Sequence, residues 1–231
     1  MGRVVYPQAM RSWSLFYKGL PAYERGLFCL ARFPVVVGAV ALLASGCGMR
    51  MPVGASLGPP TPQPSTVNSS IWVAPVEVHD PDVPNRDTLA ESFTTSLHDY
   101  LTGGRYFAKV LSLQGNVGAN DLILRLAFDR YQLRRSIHPL NIPMGLLTLG
   151  IYYISAGPVA VDRWDLAASL TIEDASGKAL ATVTKAIQPK RNVSIYSKEY
   201  LAPGGIRERT DLMAEILADA MRKLDENRAM P

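Results

Sequence analysis

Cysteine and charge are both sparse in this chain of 231 residues, which has two cysteines and only 19% charged residues. The formal net charge is +4, but the first 46 residues carry that excess, and the rest of the chain has nineteen basic and nineteen acidic residues. A neutral body argues against nucleic acid as a partner. A hydrophobic content of 48% also argues against a disordered, collagen-like or coiled-coil chain.

Motifs that signal catalysis are missing as well. The sequence has no G-x-S-x-G, no P-loop and no Rossmann glycine pattern, and His79, His98 and His138 lack the spacing of a metal site. Acidic and arginine clusters could in principle bind a cation or a phosphate group, but we interpret them as turn formers and a solvated strand end. They are Asp80, Asp82 and Asp87, and Arg130, Arg134 and Arg135. We therefore expect no enzyme, no metal site and no cofactor.

The amino-terminal region has the layout of a secretory signal. Residues 33–45 form an uncharged apolar run of thirteen residues, preceded by Arg25 and Arg32 and followed by Gly46 and Cys47. Such a run is shorter than the ~20 residues that cross a bilayer as a helix, which favours cleavage over a permanent anchor. We therefore predict a signal peptide over residues 1–46, with Met10 as an alternative start.

Residues 43–47, LASGC, resemble the lipobox of bacterial lipoproteins. This resemblance implies cleavage between Gly46 and Cys47 and attachment of lipid, including palmitate, to Cys47. Cys29 would leave with the signal, so the mature chain would have no disulfide. Gly48 rather than aspartate follows Cys47, which by the same resemblance implies the periplasmic face of the outer membrane. The alternative is a lone cysteine at the end of an ordinary signal peptide or an uncleaved anchor.

The composition divides the mature chain into two parts. Residues 47–70 are rich in proline and small polar residues, which predicts an extended, lipidated tether. Residues 71–227 are expected to form one periplasmic domain. Its opening reads as strand, helix and strand, followed by alternating strands near 122–133 with a phase shift, a hairpin over 163–187 and a terminal helix over 206–227. We expect an α+β two-layer sandwich, with two helices on one face of a mixed, mainly antiparallel sheet of about five strands.

An insertion in this domain, residues 136–161, contains no charged residue. Its prolines and glycines leave too short a helix to cross a bilayer, so a single crossing is disfavoured. Two interpretations remain open: the segment packs onto the domain, or it exposes an apolar patch to the membrane or to a neighbouring subunit. The candidate contact residues are Leu146, Leu147, Leu149, Ile151, Tyr152, Tyr153 and Ile154.

The order of elements over residues 71–227 resembles small periplasmic domains of envelope lipoproteins. The similar families are the curli-secretion lipoprotein, the lipoprotein activators of peptidoglycan synthases and the amino-terminal domain of the Tol translocation protein. This resemblance implies a non-enzymatic accessory, assembly or scaffolding factor that binds another envelope protein or itself. The alternative is a subunit of an oligomeric secretion or transport assembly that inserts residues 142–161 into the outer membrane. An envelope hydrolase or polymer-binding protein is a third hypothesis, based on location alone.

Overall fold

The computed structural model describes residues 48–60, 67–112, 117–201 and 205–229. The strands are β1 (Met49–Arg50), β2 (Val67–Val73), β3 (Glu77–Val78), β4 (Phe107–Leu111), β5 (Leu122–Ile137), β6 (Pro158–Asp174), β7 (Ala179–Ile187) and β8 (Lys190–Ser194). The helices are α1 (Arg86–Gly104), α2 (Asn141–Leu147), α3 (Ile151–Ile154), α4 (Lys198–Leu201) and α5 (Ile206–Ala229).

All eight strands belong to one mixed sheet with the central order β4-β2-β5-β6-β7. β2 runs parallel to both β4 and β5, whereas β5, β6 and β7 are antiparallel neighbours. Three short strands extend the two longest ones: β1 and β3 pair with β5, and β8 pairs with β6. The predicted α+β class is therefore confirmed, but the prediction of five strands and two helices is wrong. Strands as short as β1 and β3 contain too few residues to show an alternating pattern.

The β5–β6 pair is the longest ladder of the sheet. Its register runs from Leu122 opposite Asp174 to Ile137 opposite Ala160, which corresponds to roughly 50 Å along the strand. An irregularity between Phe128 and Arg130 shifts the alternation, as the sequence predicts. The ladder thus separates two ends of the domain, with the β6–β7 turn at one end and the β5–β6 connection at the other.

Helices α1 and α5 cover one face of this sheet. Both present an apolar stripe at helical spacing, and the stripes join the inward side chains of β2, β5, β6 and β7 in one core. The helix residues in this core are Phe93, Leu97, Tyr100, Leu101, Leu212, Met213, Ile216, Leu217, Ala220 and Leu224. A two-layer arrangement follows, because each layer buries the apolar side of the other.

Residues 48–60 are part of this domain, contrary to the tether that their composition predicts. Met49 and Arg50 pair with Arg135 and Arg134 of β5, and Ala55 is buried in the core. The contacts that hold this segment come from residues far along the chain, so local composition does not reveal them. The predicted signal peptide, the cleavage site at Gly46 and Cys47, and residues 61–66 of the predicted tether lie outside the described residues.

Candidate functional site: an apolar hairpin beside the amino-terminal segment

The connection between β5 and β6, residues 138–157, forms a helical hairpin made of α2 and α3. It reverses direction at Leu149 and Gly150, which both have positive φ angles, 49° and 89°. Every residue from 136 to 161 is uncharged. We call residues 138–157 the apolar hairpin.

Five of the seven candidate contact residues point away from the domain. Their exposed fractions are 51% for Leu146, 78% for Leu147, 94% for Leu149, 64% for Ile151 and 75% for Ile154. These five side chains therefore do not pack onto the domain, whereas Tyr153 and the end of the segment at Val159 and Ala160 do. A contiguous set of large exposed apolar side chains marks an interaction surface.

The other two candidates, Tyr152 and Tyr153, are half-buried and brace the hairpin internally. The Tyr153 hydroxyl donates to the carbonyl oxygen of Asn141 at 3.2 Å, and the Tyr152 hydroxyl donates to that of Pro158 at 3.0 Å. The two rings meet edge to face with centroids 5.7 Å apart. Gly145 lies so close to the Tyr153 ring that a Cβ atom would collide with it. These tyrosines fix the shape from which the exposed leucines and isoleucines project.

An ion pair lies at the base of the apolar hairpin. Arg135 and Asp162 are register partners in β5 and β6, with Nε to Oδ1 at 2.7 Å and Nη2 to Oδ2 at 2.8 Å. Hydrogen bonding to this carboxylate raises the pKa of Arg135. Arg135 also donates to the carbonyl oxygen of Tyr200 at 2.9 Å, which ties α4 to the same end of the sheet. The hairpin therefore extends from a base at which Arg135 connects β5, β6 and α4.

The amino-terminal segment starts at this same base. Because Met49 pairs with Arg135, it lies two register positions from Ile137, the last residue of β5, or about 7 Å along the strand. Gly48 lies beside the Arg134 side chain and the carbonyl oxygen of Arg135. Cys47 itself is outside the described residues, but it directly precedes this position in the sequence.

Beyond β1 the segment is held by side chains from distant elements. The Tyr131 hydroxyl donates to the carbonyl oxygen of Gly54 at 2.6 Å, and Arg209 donates to that of Ser56 through Nη2 at 2.9 Å. Burial lowers the pKa of Arg209 and raises the pKa of Tyr131. Sequence reasoning missed both residues, because Tyr131 lies on the apolar face of β5, where a core residue is the default expectation, and Arg209 is one of the charged residues expected on the solvent side of α5.

The acidic residues near the first turn have structural roles. Asp80 is buried and accepts hydrogen bonds from the backbone of Tyr131 at 2.8 Å and from the Gln132 amide at 3.1 Å. Asp82 pairs with Arg50 at 2.8 Å, and this guanidinium lowers the pKa of the Asp82 carboxyl. Within the described ranges, no group of three metal-ligating side chains is close enough to hold an ion.

The three histidines occupy separate places and have different neighbours. His79 lies between two carboxylates, with Nε2 at 2.9 Å from Glu77 and Nδ1 at 3.3 Å from Asp129, and these hydrogen bonds raise its pKa. His98 lies beside Asp99 on α1. His138 accepts a hydrogen bond from the backbone of Leu140 at 3.2 Å. The structure does not bring them together.

A cleft of about 490 Å³ opens between the amino-terminal segment, the turn before α1 and the first turns of that helix. Its walls are mainly apolar and include Met51, Val53, Val83, Leu89 and Leu133. Its volume lies within the usual range of ligand pockets. Such a cleft is suited to receive apolar side chains of a partner.

No protein-family model matches this chain, and none of the curated proteins matches it either. Solved structures align with most of it at low identity. A Xanthomonas campestris protein of family DUF330 shares 11% identity over 77% of this chain and 99% of its own, with a TM-score of 0.49. The minor lipoprotein of Acinetobacter baumannii shares 15% identity over 72% of this chain and 100% of its own, with a TM-score of 0.35. Lipoprotein GNA1162 of Neisseria meningitidis shares 16% identity over 64% of this chain and 99% of its own, also with a TM-score of 0.35. Similarities of this size establish neither a family nor a function.

Across the part of the chain that the structure describes, no helix combines the length and the hydropathy needed to cross a membrane.

Proposed function

We propose that this chain is a lipoprotein anchored through acylated Cys47 at the periplasmic face of the outer membrane, where it acts as a non-enzymatic accessory factor that binds another envelope protein. The observation that carries the proposal is the LASGC sequence at the end of an apolar run, immediately before a segment that pairs with β5. This arrangement supports a short, tight attachment, since β1 begins two residues after Cys47.

Several contacts support an accessory role over a catalytic one. The buried carboxylates of Asp80 and Asp162 are engaged by neighbouring donors within the fold, and the three histidines have local partners on separate elements. A catalytic acid and base need to approach one substrate position from hydrogen-bonding distance. Asp80, Asp162 and His79 instead connect strands and turns of the domain.

The anchoring is tested by replacing Cys47 with serine in the full chain expressed in a Gram-negative host. We expect the wild type to carry an acyl mass and to sediment with outer membrane, and the Cys47→Ser chain to lose the acyl mass. Cys29→Ser is the matched control, because Cys29 would leave with the signal peptide and should not affect acylation. Acyl labelling that persists in Cys47→Ser would refute the lipoprotein assignment.

Partner binding is tested by photocrosslinking in intact cells. A photoreactive residue at Thr88, which lines the cleft, should give one discrete adduct with another envelope protein. The same residue at the exposed Ala175, in the β6–β7 turn, is the control and should not. A Thr88 chain that is acylated and membrane-bound yet gives the same pattern as the Ala175 chain would refute partner binding at this cleft.

The exposed side chains of the apolar hairpin favour a second candidate, a subunit of an oligomeric assembly inserted in the outer membrane. This candidate predicts oligomers that resist mild detergent and dissociate when Leu147 and Leu149 are both replaced by polar residues. Monomers under these conditions would exclude it.

A further inference from the structure

We propose that the apolar hairpin is a membrane-docking element that inserts its exposed leucines and isoleucines into the lipid leaflet that holds the acylated Cys47. This inference rests on the proposed function for the position of the anchor. It goes beyond that function by assigning a second, non-covalent membrane contact and the side chains that make it.

The absence of charged residues around the apolar hairpin favours a lipid surface over a protein surface as its binding partner. At the chain's average of 19% charged residues, a stretch as long as residues 136–161 would contain about five. It contains none, and the flanking charges of Arg135 and Asp162 neutralise each other at the base. Protein interfaces keep a polar rim, whereas a charged side chain that enters the hydrocarbon region costs free energy.

Leu149 indicates independently that the hairpin meets an apolar environment outside the domain. Its side chain is 94% exposed, and its backbone has φ of 49°, a conformation that bulky side chains disfavour and that asparagine or glycine adopts readily. Neither solvation nor backbone conformation within the domain therefore favours leucine here. An apolar environment outside the domain would compensate for both.

The position of the anchor selects the bilayer over other apolar partners. Met49 pairs with Arg135, and β5 ends two residues later where the hairpin starts. A lipid attached to Cys47 would thus enter the membrane beside the base of the hairpin. Tyr196, 63% exposed, follows β8, whose last residue Ser194 pairs with Pro158 at the same base. Tyrosines at such a level are typical of membrane–water interfaces.

The size of the hairpin limits how far it inserts. α2 has seven residues and α3 has four, so the longer helix measures about 10 Å, against a hydrocarbon core of about 30 Å. The hairpin therefore enters one leaflet to the depth of an interfacial segment. Two attachments side by side, an acyl anchor and an apolar hairpin, would also fix the orientation of the domain on the surface.

The test measures the surroundings of a dye on the full acylated chain in phosphatidylethanolamine–phosphatidylglycerol vesicles. An environment-sensitive fluorophore is attached to a cysteine introduced by Ile154→Cys, or by Ala175→Cys at the opposite end of the ladder as the control. We expect blue-shifted emission and strong quenching by spin-labelled acyl chains for the Ile154 dye, and aqueous emission for the Ala175 dye. Adding Leu147→Asp and Leu149→Asn should return the Ile154 dye to aqueous emission.

Folding is monitored separately by denaturant unfolding of Leu149→Asn alone. We expect its stability to equal or exceed that of the wild type while quenching falls, a combination that a purely structural role would not produce.

Each other outcome identifies a different error. Aqueous emission from the Ile154 dye on an acylated, vesicle-bound chain overturns the proposed insertion of the hairpin and leaves the proposed acyl anchor intact. Blue-shifted emission that rises with protein density but escapes lipid-borne quenchers means that a second copy covers the patch, which also overturns the inference. If the chain carries no acyl mass but lipid-borne quenchers still quench the Ile154 dye, acylation of Cys47 is refuted and insertion of the hairpin is supported.

Discussion

The Tyr131 hydroxyl donates a hydrogen bond of 2.6 Å to the carbonyl oxygen of Gly54, a residue 77 positions earlier in the chain. Together with the bonds from Arg209 to Ser56 and from Met51 to Leu133, it holds a proline-rich segment against the domain. Residues 48–60 are consequently a fixed link between the predicted lipid site and the sheet.

Replacing Tyr131 with phenylalanine should loosen this link without unfolding the domain. Because the Gly54 residue is exposed, its carbonyl oxygen can bind water instead, and we expect a loss of about 1 kcal/mol in the free energy of unfolding. Hydrogen exchange at the Met51 amide should accelerate. Tyr196→Phe, at an exposed position, is the control and should change neither measurement.

Removing Arg135 should be much more costly. The side chains of Arg135 and Asp162 are 14% and 4% exposed, so Arg135→Ala leaves a buried carboxylate without its guanidinium. We expect a loss of about 3 kcal/mol in denaturant unfolding. Replacing Arg125, which is 54% exposed and pairs with a Glu173 that keeps 17% of its side chain in contact with solvent, should cost less than about 1 kcal/mol. Equal losses from the two substitutions would contradict the assigned role of the Arg135 pair.

The protonation of His79 should depend on its two carboxylate neighbours. Hydrogen bonds to Glu77 and Asp129 raise its pKa above 6.5, so the protonated form is favoured in the folded chain. The resulting stabilisation is complete below the unfolded pKa of about 6.5 and disappears as pH rises through the folded value. It should be small, since His79 is largely exposed. An NMR titration should show a lower midpoint in Glu77→Gln and an unchanged one in Glu91→Gln, at an exposed residue on α1.

An aspartate substitution should affect stability little on the hairpin surface and strongly in the core. Ile151 is 64% exposed, so Ile151→Asp should change the free energy of unfolding by no more than about 0.5 kcal/mol. Leu166 is fully buried in the β6 layer, and Leu166→Asp should prevent stable folding because it buries an unpaired carboxylate. Thermal unfolding of both variants in the same detergent measures the difference. A collapse of Ile151→Asp would place that side chain inside the domain.

Helices and strands whose apolar residues repeat at a regular spacing could be predicted closely from the sequence. The terminal helix, predicted over 206–227, spans Ile206–Ala229, and the hairpin predicted over 163–187 is formed by β6 and β7. The predicted phase shift after Phe128 is confirmed as the irregularity in the β5–β6 register. In each case the apolar residues repeat at the period of the element that they form.

The short strands and the amino-terminal segment could not be predicted in this way. β1, β3 and β8 have two to five residues, and they exist because β5 and β6 are long enough to offer free edges beyond β2 and β7. Arg209 and Tyr131 hold residues 48–60 from positions 153 and 77 residues away. Composition within a window carries no information on partners at that separation.

The sequence by itself determined the long elements, the LASGC motif at the end of an apolar run and the uncharged stretch at 136–161, because each is a pattern within a few neighbouring residues. Only the tertiary structure decided that residues 48–60 are held against the domain, that Tyr152 and Tyr153 turn inward while Leu147 and Leu149 turn outward, and that the segment starting at Gly48 and the hairpin share one end. Side-chain exposure and strand pairing depend on which distant surfaces meet, and packing of the whole chain sets those contacts.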